Sequence, residues 1–341
     1  MKVLITGATG FVGPVLVGLL LSEGHELTGL VRKTSDTGAL PDRVKLVEGD
    51  MLDEPSLENA VRGKDAVIHL AANFDFYPKD VKLLYRVNVG GTRNLLNACV
   101  RAGVKRFVYC STAEVVGSVK DPPADEETEL RPQYDYSRSK KIAEALVRDT
   151  TERSGMEHVI VRPTGIVGPG DTYVGFQTMK AINDGTIPVI PGSGLKHVTF
   201  IHVDDVARGL ALALTTKSGV NGTFILCPDR PLTYIETFWV IADQLGAKAP
   251  KLRIPGIVAK ILIGLLGLVK GRDKSGFLWH YKSVQAMLED RWYTNEKAKK
   301  LLGWIPQMSM EEAVRKSIDS QVAVGHLVKN KKTSLINLFY G

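Results

Sequence analysis

Cysteine is scarce: Cys99, Cys110 and Cys227 are the three in 341 residues. An odd, widely spaced set supplies neither a disulfide framework nor the paired spacing of a metal site, so no metal is expected. A reducing, cytoplasmic setting is the plain expectation. Strand residues 3–5 follow the first methionine at once, so no leader peptide is expected. Long apolar runs are lacking as well. The most apolar stretch, 257–269, contains Lys260, lies between Arg253 and Lys270, and is too short to span a bilayer. Aromatics make up 7% and are not interleaved with a basic stripe. The densest cationic clusters are Lys297, Lys299, Lys300 and Lys329, Lys331, Lys332, in a chain of net charge +7 and pI near 9.1. Nucleic-acid binding is therefore not expected. There is no internal repeat and no low-complexity segment.

What remains is ordinary enzyme composition, 44% hydrophobic and 24% charged. Short apolar runs at 3–5, 26–31, 44–47, 66–70, 106–110 and 158–161 read as strands. Amphipathic stretches at 12–22, 56–61, 81–102 and 137–153 read as helices between them. This alternation predicts an α/β fold: a doubly wound, Rossmann-type parallel sheet. After Gly168 the pattern is broken by Pro169, Gly170, Pro188, Pro191, Gly192 and Gly194, and 223–226 reads as a returning strand. The expected division is a dinucleotide-binding domain from 1–168 plus about 197–226. A smaller C-terminal substrate lobe would come from 169–196 plus about 227–324. A helix ending near His326 would leave a loose tail, 325–341, whose apolar residues 335–340 could dock.

Between the first strand and helix stands Thr6-Gly7-Ala8-Thr9-Gly10-Phe11-Val12-Gly13. Gly7 allows the tight turn, Gly10 lets backbone approach a pyrophosphate, and Gly13 lets the helix pack close. The helix N-terminus then receives the phosphates. Thr9, Phe11 and Val12 belong to the same cradle. The second strand ends in Arg32-Lys33, where NAD-specific proteins usually carry an acid for the ribose hydroxyls. A basic pair suits a 2′-phosphate, so NADP(H) is favoured, with NAD(H) as the alternative; a solvated surface pair is the plainer reading of Arg32 and Lys33. After the third strand, Asp50 could accept from the adenine amino group with Met51 against the ring, or simply serve a turn.

Tyr136 and Lys140, four apart on a helix, share one face. A nearby ammonium favours phenolate and is expected to lower the tyrosine pKa toward working pH. Tyr136 could then exchange a proton with a substrate oxygen while hydride moves on the nicotinamide. Lys140 could also hold the nicotinamide ribose. Ser111 and Thr112 end the fifth strand, where alternation sends them to opposite faces. Thr112 is taken as the hydroxyl facing the substrate, and a strand-end cap is the alternative for either.

Together these motifs resemble the extended short-chain dehydrogenase/reductase family over about 1–320. Further matching pieces are His69-Leu70-Ala71-Ala72, Asn88 in Arg86-Val87-Asn88-Val89-Gly90-Gly91-Thr92, Arg162-Pro163-Thr164-Gly165-Ile166, Phe200-Ile201-His202-Val203-Asp204-Asp205 and Lys297 through Trp304. The resemblance implies that Thr112, Tyr136 and Lys140 are catalytic. It implies that Leu70, Ala71, Ala72, Asn88, Pro163, Thr164 and Ile166 belong to the cofactor site. It also implies a homodimer through helices 81–102 and 137–153.

Within the family, nucleotide-sugar epimerases and dehydratases commonly carry Asn where this chain has Thr164. They carry Arg just before Phe-Ile-x-Val-Asp, where this chain reads Lys196-His197-Val198-Thr199, and Tyr where it has Val116. These departures resemble the 3β-hydroxysteroid dehydrogenase and dihydroflavonol-reductase branch. The expectation is an NAD(P)-dependent oxidoreductase interconverting a secondary alcohol and a ketone on a sterol-, terpenoid- or flavonoid-like substrate. A nucleotide-sugar epimerase or dehydratase is the alternative, with Lys196 or His197 substituting for the Arg. Phe74, Phe76 and Tyr77 could touch an apolar substrate or pack their own loop. For 257–269 three readings stand: a helix lying on a membrane surface, with peripheral contact through 254–270; a lid on the substrate pocket; or a helix buried in the small lobe. Lys260 could snorkel in any of them.

Overall fold

The computed structural model describes residues 1–187, 189–270 and 281–330. In chain order the first body runs β1 (Lys2–Thr6), α1 (Gly13–Ser22), β2 (Glu26–Val31), β3 (Lys45–Glu48), α2 (Glu54–Val61) and β4 (Ala66–His69). It continues through α3 (Val81–Tyr85), α4 (Thr92–Ala102), β5 (Arg106–Cys110), α5 (Asp135–Ser154) and β6 (Glu157–Pro163). Then come β7 (Gly165–Val167), α6 (Val174–Asn183), β8 (Val189–Pro191), β9 (His197–Val198), β10 (Phe200–His202), α7 (Val203–Thr215) and β11 (Gly222–Leu226). The rest is β12 (Leu232–Thr233), α8 (Tyr234–Leu245), β13 (Leu252–Ile254), α9 (Gly256–Lys270), α10 (Tyr281–Met287) and α11 (Met310–Ala323).

The main sheet among the described residues has seven parallel strands in the order β11-β6-β5-β4-β1-β2-β3. The order reverses between the paired strands β4 and β1, so the chain leaves their carboxyl ends in opposite directions and a crevice opens there, where ligands of such sheets bind. A sheet covered on both faces needs strands that are apolar throughout. Val3 and Ile5 pack with Leu16, Val17 and Leu20 of α1 and Val206 and Leu210 of α7 on one face. Leu4 packs with Leu57 of α2, Leu95 of α4 and Val147 of α5 on the other. A separate apolar cluster joins α6, α8 and α11 through Met179, Phe238, Ile241, Val314 and Ile318.

Four local features differ from the sequence expectation. The stretch 81–102 is not one regular helix: Arg86–Gly91 forms a π-helical turn between α3 and α4. Wider turns of this kind occur at functional sites. Here Thr92 donates its hydroxyl to the Asn88 carbonyl. Gly91 is pressed so near Met51 that a Cβ there would lie 2.7 Å from the Met51 Cβ. Second, Ala298, Leu302 and Trp304, in the stretch expected in the small lobe, join the core on the α1–α7 face of the sheet. Trp304 donates Nε1–H to the Asp205 carbonyl at 2.9 Å. Third, the segment after α11 begins tied down: Leu327 is buried and Asn330 donates its N–H to the Leu245 carbonyl. The apolar residues 335–340 lie outside the described residues. Fourth, of the three readings of 257–269 the helix buried in the small lobe is set aside, because Ile257, Val258, Ile261, Leu262 and Leu265 are exposed.

Candidate active site

The glycine turn is held by close backbone packing. Gly7 has φ +73°, and a Cβ on it would lie 2.8 Å from the Ala71 nitrogen. A Cβ on Gly13 would lie 2.1 Å from the Ala8 carbonyl oxygen. α1 starts with no side-chain cap at Val12 and no acid in its first turn. Gly13 donates its N–H to the Gly10 carbonyl and Pro14 has none, so the turn offers an uncapped, acid-free helix start whose positive end fits a dinucleotide pyrophosphate.

A buried relay fixes the opposite side of this cradle. Thr92 donates to the Asn88 carbonyl, so its oxygen is free to accept from His69 Nε2–H at 3.0 Å. His69 Nδ1 accepts from the Thr6 hydroxyl at 2.6 Å, and Thr6 Oγ1 accepts from the Ala71 N–H. Burial lowers the His69 pKa to about 3, and Lys140 adds to that, so the ring is neutral as the relay requires.

One cavity of about 600 Å³ runs along the crevice. Gly7, Thr9, Gly10, Phe11, Val12 and Gly13 line it at one end with Arg32, Asp50 and Met51; Leu70, Ala71, Ala72, Pro163, Thr164 and Ile166 line its middle. Thr112, Tyr136 and Lys140 share the same wall. Two of the residues expected at the cofactor do not line the cavity. Lys33 is exposed and Asn88 is buried, and neither belongs to the cavity wall. Asn88 instead clamps the loop after β4: its Oδ1 accepts from Asn73 N–H at 2.7 Å, and its amide donates to the Asn73 carbonyl and to Ser139 Oγ, both at 3.0 Å.

The strand-end hydroxyls have separate surroundings. Ser111 Oγ donates to Glu144 Oε1 at 2.6 Å. Glu144 is in turn gripped by Arg162 through Nε at 2.9 Å and Nη2 at 2.7 Å, all of it buried. Thr112 is extended and accepts a local bond from the Glu114 N–H.

Tyr136 sits in the first turn of α5, one turn before Lys140. The expected lowering of its pKa is not found. Burial pushes the phenol well above its ordinary value, and Cys110, Tyr173 and Glu114 add to the effect. Lys140 makes its contacts elsewhere, donating from Nζ to the Cys110 carbonyl at 2.6 Å and standing 4.2 Å from the Tyr109 ring centroid. Burial lowers the Lys140 pKa to about 8, opposed by Cys110 and Glu144.

Beyond Tyr136 the wall is aromatic. Phe74 meets Tyr136 edge-on at 4.8 Å and Tyr173 at 4.6 Å between ring centroids, and Phe76 meets Tyr134 at 4.7 Å. Phe74 and Phe76 therefore both pack their loop and face the cavity, whereas Tyr77 bonds Ser283 Oγ instead. Glu114, Tyr134, Tyr173 and Arg291 also line the cavity and were not singled out by sequence reasoning. Glu114 could have been found, being two residues beyond Thr112. Arg291 carried no signal, because it arrives from far along the chain. It meets Glu114 at 3.3 Å, Glu289 at 3.3 Å and Gln133 Oε1 at 2.8 Å. Burial works against its charge, and Glu114, Tyr293, Tyr234 and Glu289 together raise its pKa above the ordinary value. Among the described residues no group of His, Cys, Asp and Glu side chains is arranged to hold a metal ion.

Fold and cavity define the class, a Rossmann-type enzyme working with a nicotinamide dinucleotide. Residues 3–227 match the NAD dependent epimerase/dehydratase family. The chain belongs to that family and is an NAD(P)-dependent enzyme of the extended short-chain dehydrogenase/reductase type. It is similar to the 3 beta-hydroxysteroid dehydrogenase/Delta 5-->4-isomerase of Mycobacterium tuberculosis, at 29% identity covering 97% of this chain and 93% of the relative. It is 29% identical to the mouse (Mus musculus) sterol-4-alpha-carboxylate 3-dehydrogenase, decarboxylating, covering 97% and 92% of the two chains. Among solved structures, gox2253 is similar at TM-score 0.82 and 30% identity, covering 96% of this chain and 99% of that one. The UDP-glucose 4-epimerase of Thermus thermophilus, solved with NAD, shares the fold at TM-score 0.74 and 24% identity, covering 94% and 98%.

Proposed function

We propose that this enzyme interconverts a secondary alcohol and a ketone on a hydrophobic, sterol-like substrate, with NADP(H) preferred. The observation that carries the substrate class is the fate of Lys196 and His197, the two basic side chains that stand where sugar enzymes of the family carry the Arg. Lys196 Nζ and His197 Nδ1 are both bound to Asp290, at 2.6 and 2.8 Å, and neither lines the cavity. The surface beside Tyr136 is aromatic instead. The steroid and sterol dehydrogenase names of the relatives support the same class.

For the cofactor, Arg32 and Ser35 stand on the cavity wall just past β2. No acid lies between Val31 and Ser35, and Asp36 has its Oδ1 committed to the Gly38 N–H. This supports a 2′-phosphate there. Bound nicotinamide supplies or accepts the hydride. Tyr136 exchanges a proton at its phenol oxygen with the substrate oxygen, and Thr112 donates a hydrogen bond to that oxygen. Ser111 does not compete for this role, since Glu144 holds it. Lys140 holds the nicotinamide ribose. Phe74 and Phe76 exclude water from the reacting atoms. A homodimer through α4 and α5 is supported by Val100 and Ile142, both exposed.

The test is a panel of hydrophobic ketones, followed by the loss of reduced-nicotinamide absorbance. Net consumption of NADPH with a 3-keto steroid is the expected result. Calorimetric binding of UDP-, GDP- or dTDP-sugars, with no net cofactor consumption by any ketone, would favour an epimerase or dehydratase instead.

A further inference from the structure

Helix α9 is apolar on the side it shows to solvent. Ile257 is 75% exposed, Ile261 57% and Leu265 55%, with Val258 and Leu262 beside them. Their spacing of four residues makes a single stripe along the helix. The inner side is small or tethered: Ala259 is buried, Gly256 abuts Leu288, and Lys260 bonds Gln285 of α10. On β13, just before the helix, Leu252 is 62% exposed. A monomeric soluble surface seldom leaves so many large apolar side chains together.

The charge around this face is one-sided. Residues 246–270 contain five cations, Lys248, Lys251, Arg253, Lys260 and Lys270, and no acid. Lys248, Lys251 and Arg253 are exposed and have no ion-pair partner among the described residues. A second copy of this chain would bring the same cations against these and repel them. An anionic lipid surface attracts them, at about 1 kcal/mol for each side chain near the surface. The helix cannot cross: 15 residues at about 1.5 Å each reach about 22 Å, short of the roughly 30 Å hydrocarbon core. No helix among the described residues is long and apolar enough to span a membrane.

We propose that α9, with β13 beside it, docks flat on an anionic lipid surface. The stripe of Ile257, Ile261 and Leu265 enters the acyl boundary, and Lys248, Lys251 and Arg253 meet the headgroups. Among the described residues, only α10 separates α9 from the substrate end of the cavity. α9 packs on α10, and Ser283, Ala286 and Met287 of α10 line the cavity. A hydrophobic substrate would then pass between lipid and pocket over a short path. That last step rests on the proposed substrate class, but the docking does not.

The test is flotation of the full-length protein with phosphatidylcholine vesicles, with and without phosphatidylglycerol. The wild type should float with the anionic vesicles at least about tenfold more than with the neutral ones. Ile261→Asp/Leu265→Asp should lower flotation by more than about tenfold. Lys251→Ala/Arg253→Ala leaves α9 unchanged and should lower it several-fold, with a weaker dependence on salt. This second variant keeps the test decisive if the first misfolds. Cofactor affinity and NADPH consumption on a water-soluble ketone should be the same in all three proteins. Absence of flotation by the wild type, or equal flotation by both variants, overturns the proposal. So does a wild-type dimer, seen by sedimentation, that the first variant splits while vesicle binding stays unchanged. The docking result stands or falls whether or not a sterol-like ketone is ever turned over.

Discussion

Gly7, Gly10 and Gly13 reach the cavity from seven consecutive residues, a strand end, a turn and a helix start. At the other end of the same cavity, Glu114 and Arg291 face each other at 3.3 Å from positions 177 residues apart. The cofactor end is thus specified by local backbone geometry, in which a single Cβ would collide. The substrate end is specified by tertiary assembly: segment 281–294 is laid against β5's outlet and sewn on by side chains and by short bridges, Val119 with Asp290 and Ala124 with Tyr293. The two ends should therefore respond separately to substitution, and Tyr136 marks the seam between them.

The largest effect belongs to that seam. Tyr136→Phe removes the proton-carrying oxygen and should lower kcat about a thousandfold, within the range general acid–base groups contribute. The dissociation constant for NADP should stay the same. A parallel loss of cofactor affinity would show that the two ends are not separable. At the cofactor end, Gly13→Ala forces α1 away from Ala8 and should weaken NADP binding by roughly a hundredfold, about 2.7 kcal/mol. Fluorescence titration checks this, with circular dichroism to establish that the sheet is intact. Next comes Arg32→Asp, which replaces a charge-assisted contact by repulsion and should move the preference from NADP toward NAD by roughly 30-fold. Equal kcat/KM ratios for the two cofactors before and after the change would contradict the assignment. At the substrate end, Phe74→Ala should raise KM for a hydrophobic ketone about tenfold through lost aromatic surface, leaving NADP affinity alone.

The smallest expected effect concerns the relay behind the cofactor end. Burial holds His69 near a pKa of about 3, below the ordinary 6.5. The unfolded chain therefore binds the extra proton first as pH falls. Stability tied to the neutral ring is complete above pH 6.5 and is lost as pH drops from there toward 3, by about 1.4 kcal/mol per pH unit. Urea denaturation at pH 6.5 and 5.5 should show a decrement of about 1 kcal/mol in the wild type, because the unfolded imidazole is already half protonated at 6.5, and a smaller one in His69→Gln. Equal decrements would mean that the relay is not what burial of His69 protects.

The same contrast decides what the sequence could reveal. Strands β1, β2, β4, β5 and β6 were legible because they are largely buried on both faces and read as apolar runs between turns; β3, at the sheet edge, is mostly exposed. Tyr136, Lys140 and the glycine turn were legible because each is a motif within a few residues. The π-turn at Arg86–Gly91 was not, since Asn88 within it binds Asn73 and Ser139, partners that lie elsewhere in the chain. The acidity of Tyr136 was misread for the same reason. Spacing puts Lys140 one turn away, but only the fold reveals that its ammonium meets the Cys110 carbonyl and that burial governs the phenol. Arg291 was invisible because nothing near it in the chain marks it. Helix α9 exposes a further limit. Its composition resembles that of α1, yet Leu16 and Leu20 of α1 are fully buried while Ile257 and Ile261 are open to solvent. Apolarity alone names no neighbour; the connection does, since α1 crosses between two sheet strands and α9 follows a peripheral one.

The central claim is that hydride leaves with the product. It is tested most directly by incubating the wild-type enzyme with NADPH deuterated at the transferable position and a 3-keto steroid, then analysing the alcohol by mass spectrometry. The account predicts one deuterium at the new carbinol carbon for each cofactor oxidised. Retention of the label on the bound cofactor, or its return to a nucleotide sugar with no net oxidation, would contradict it.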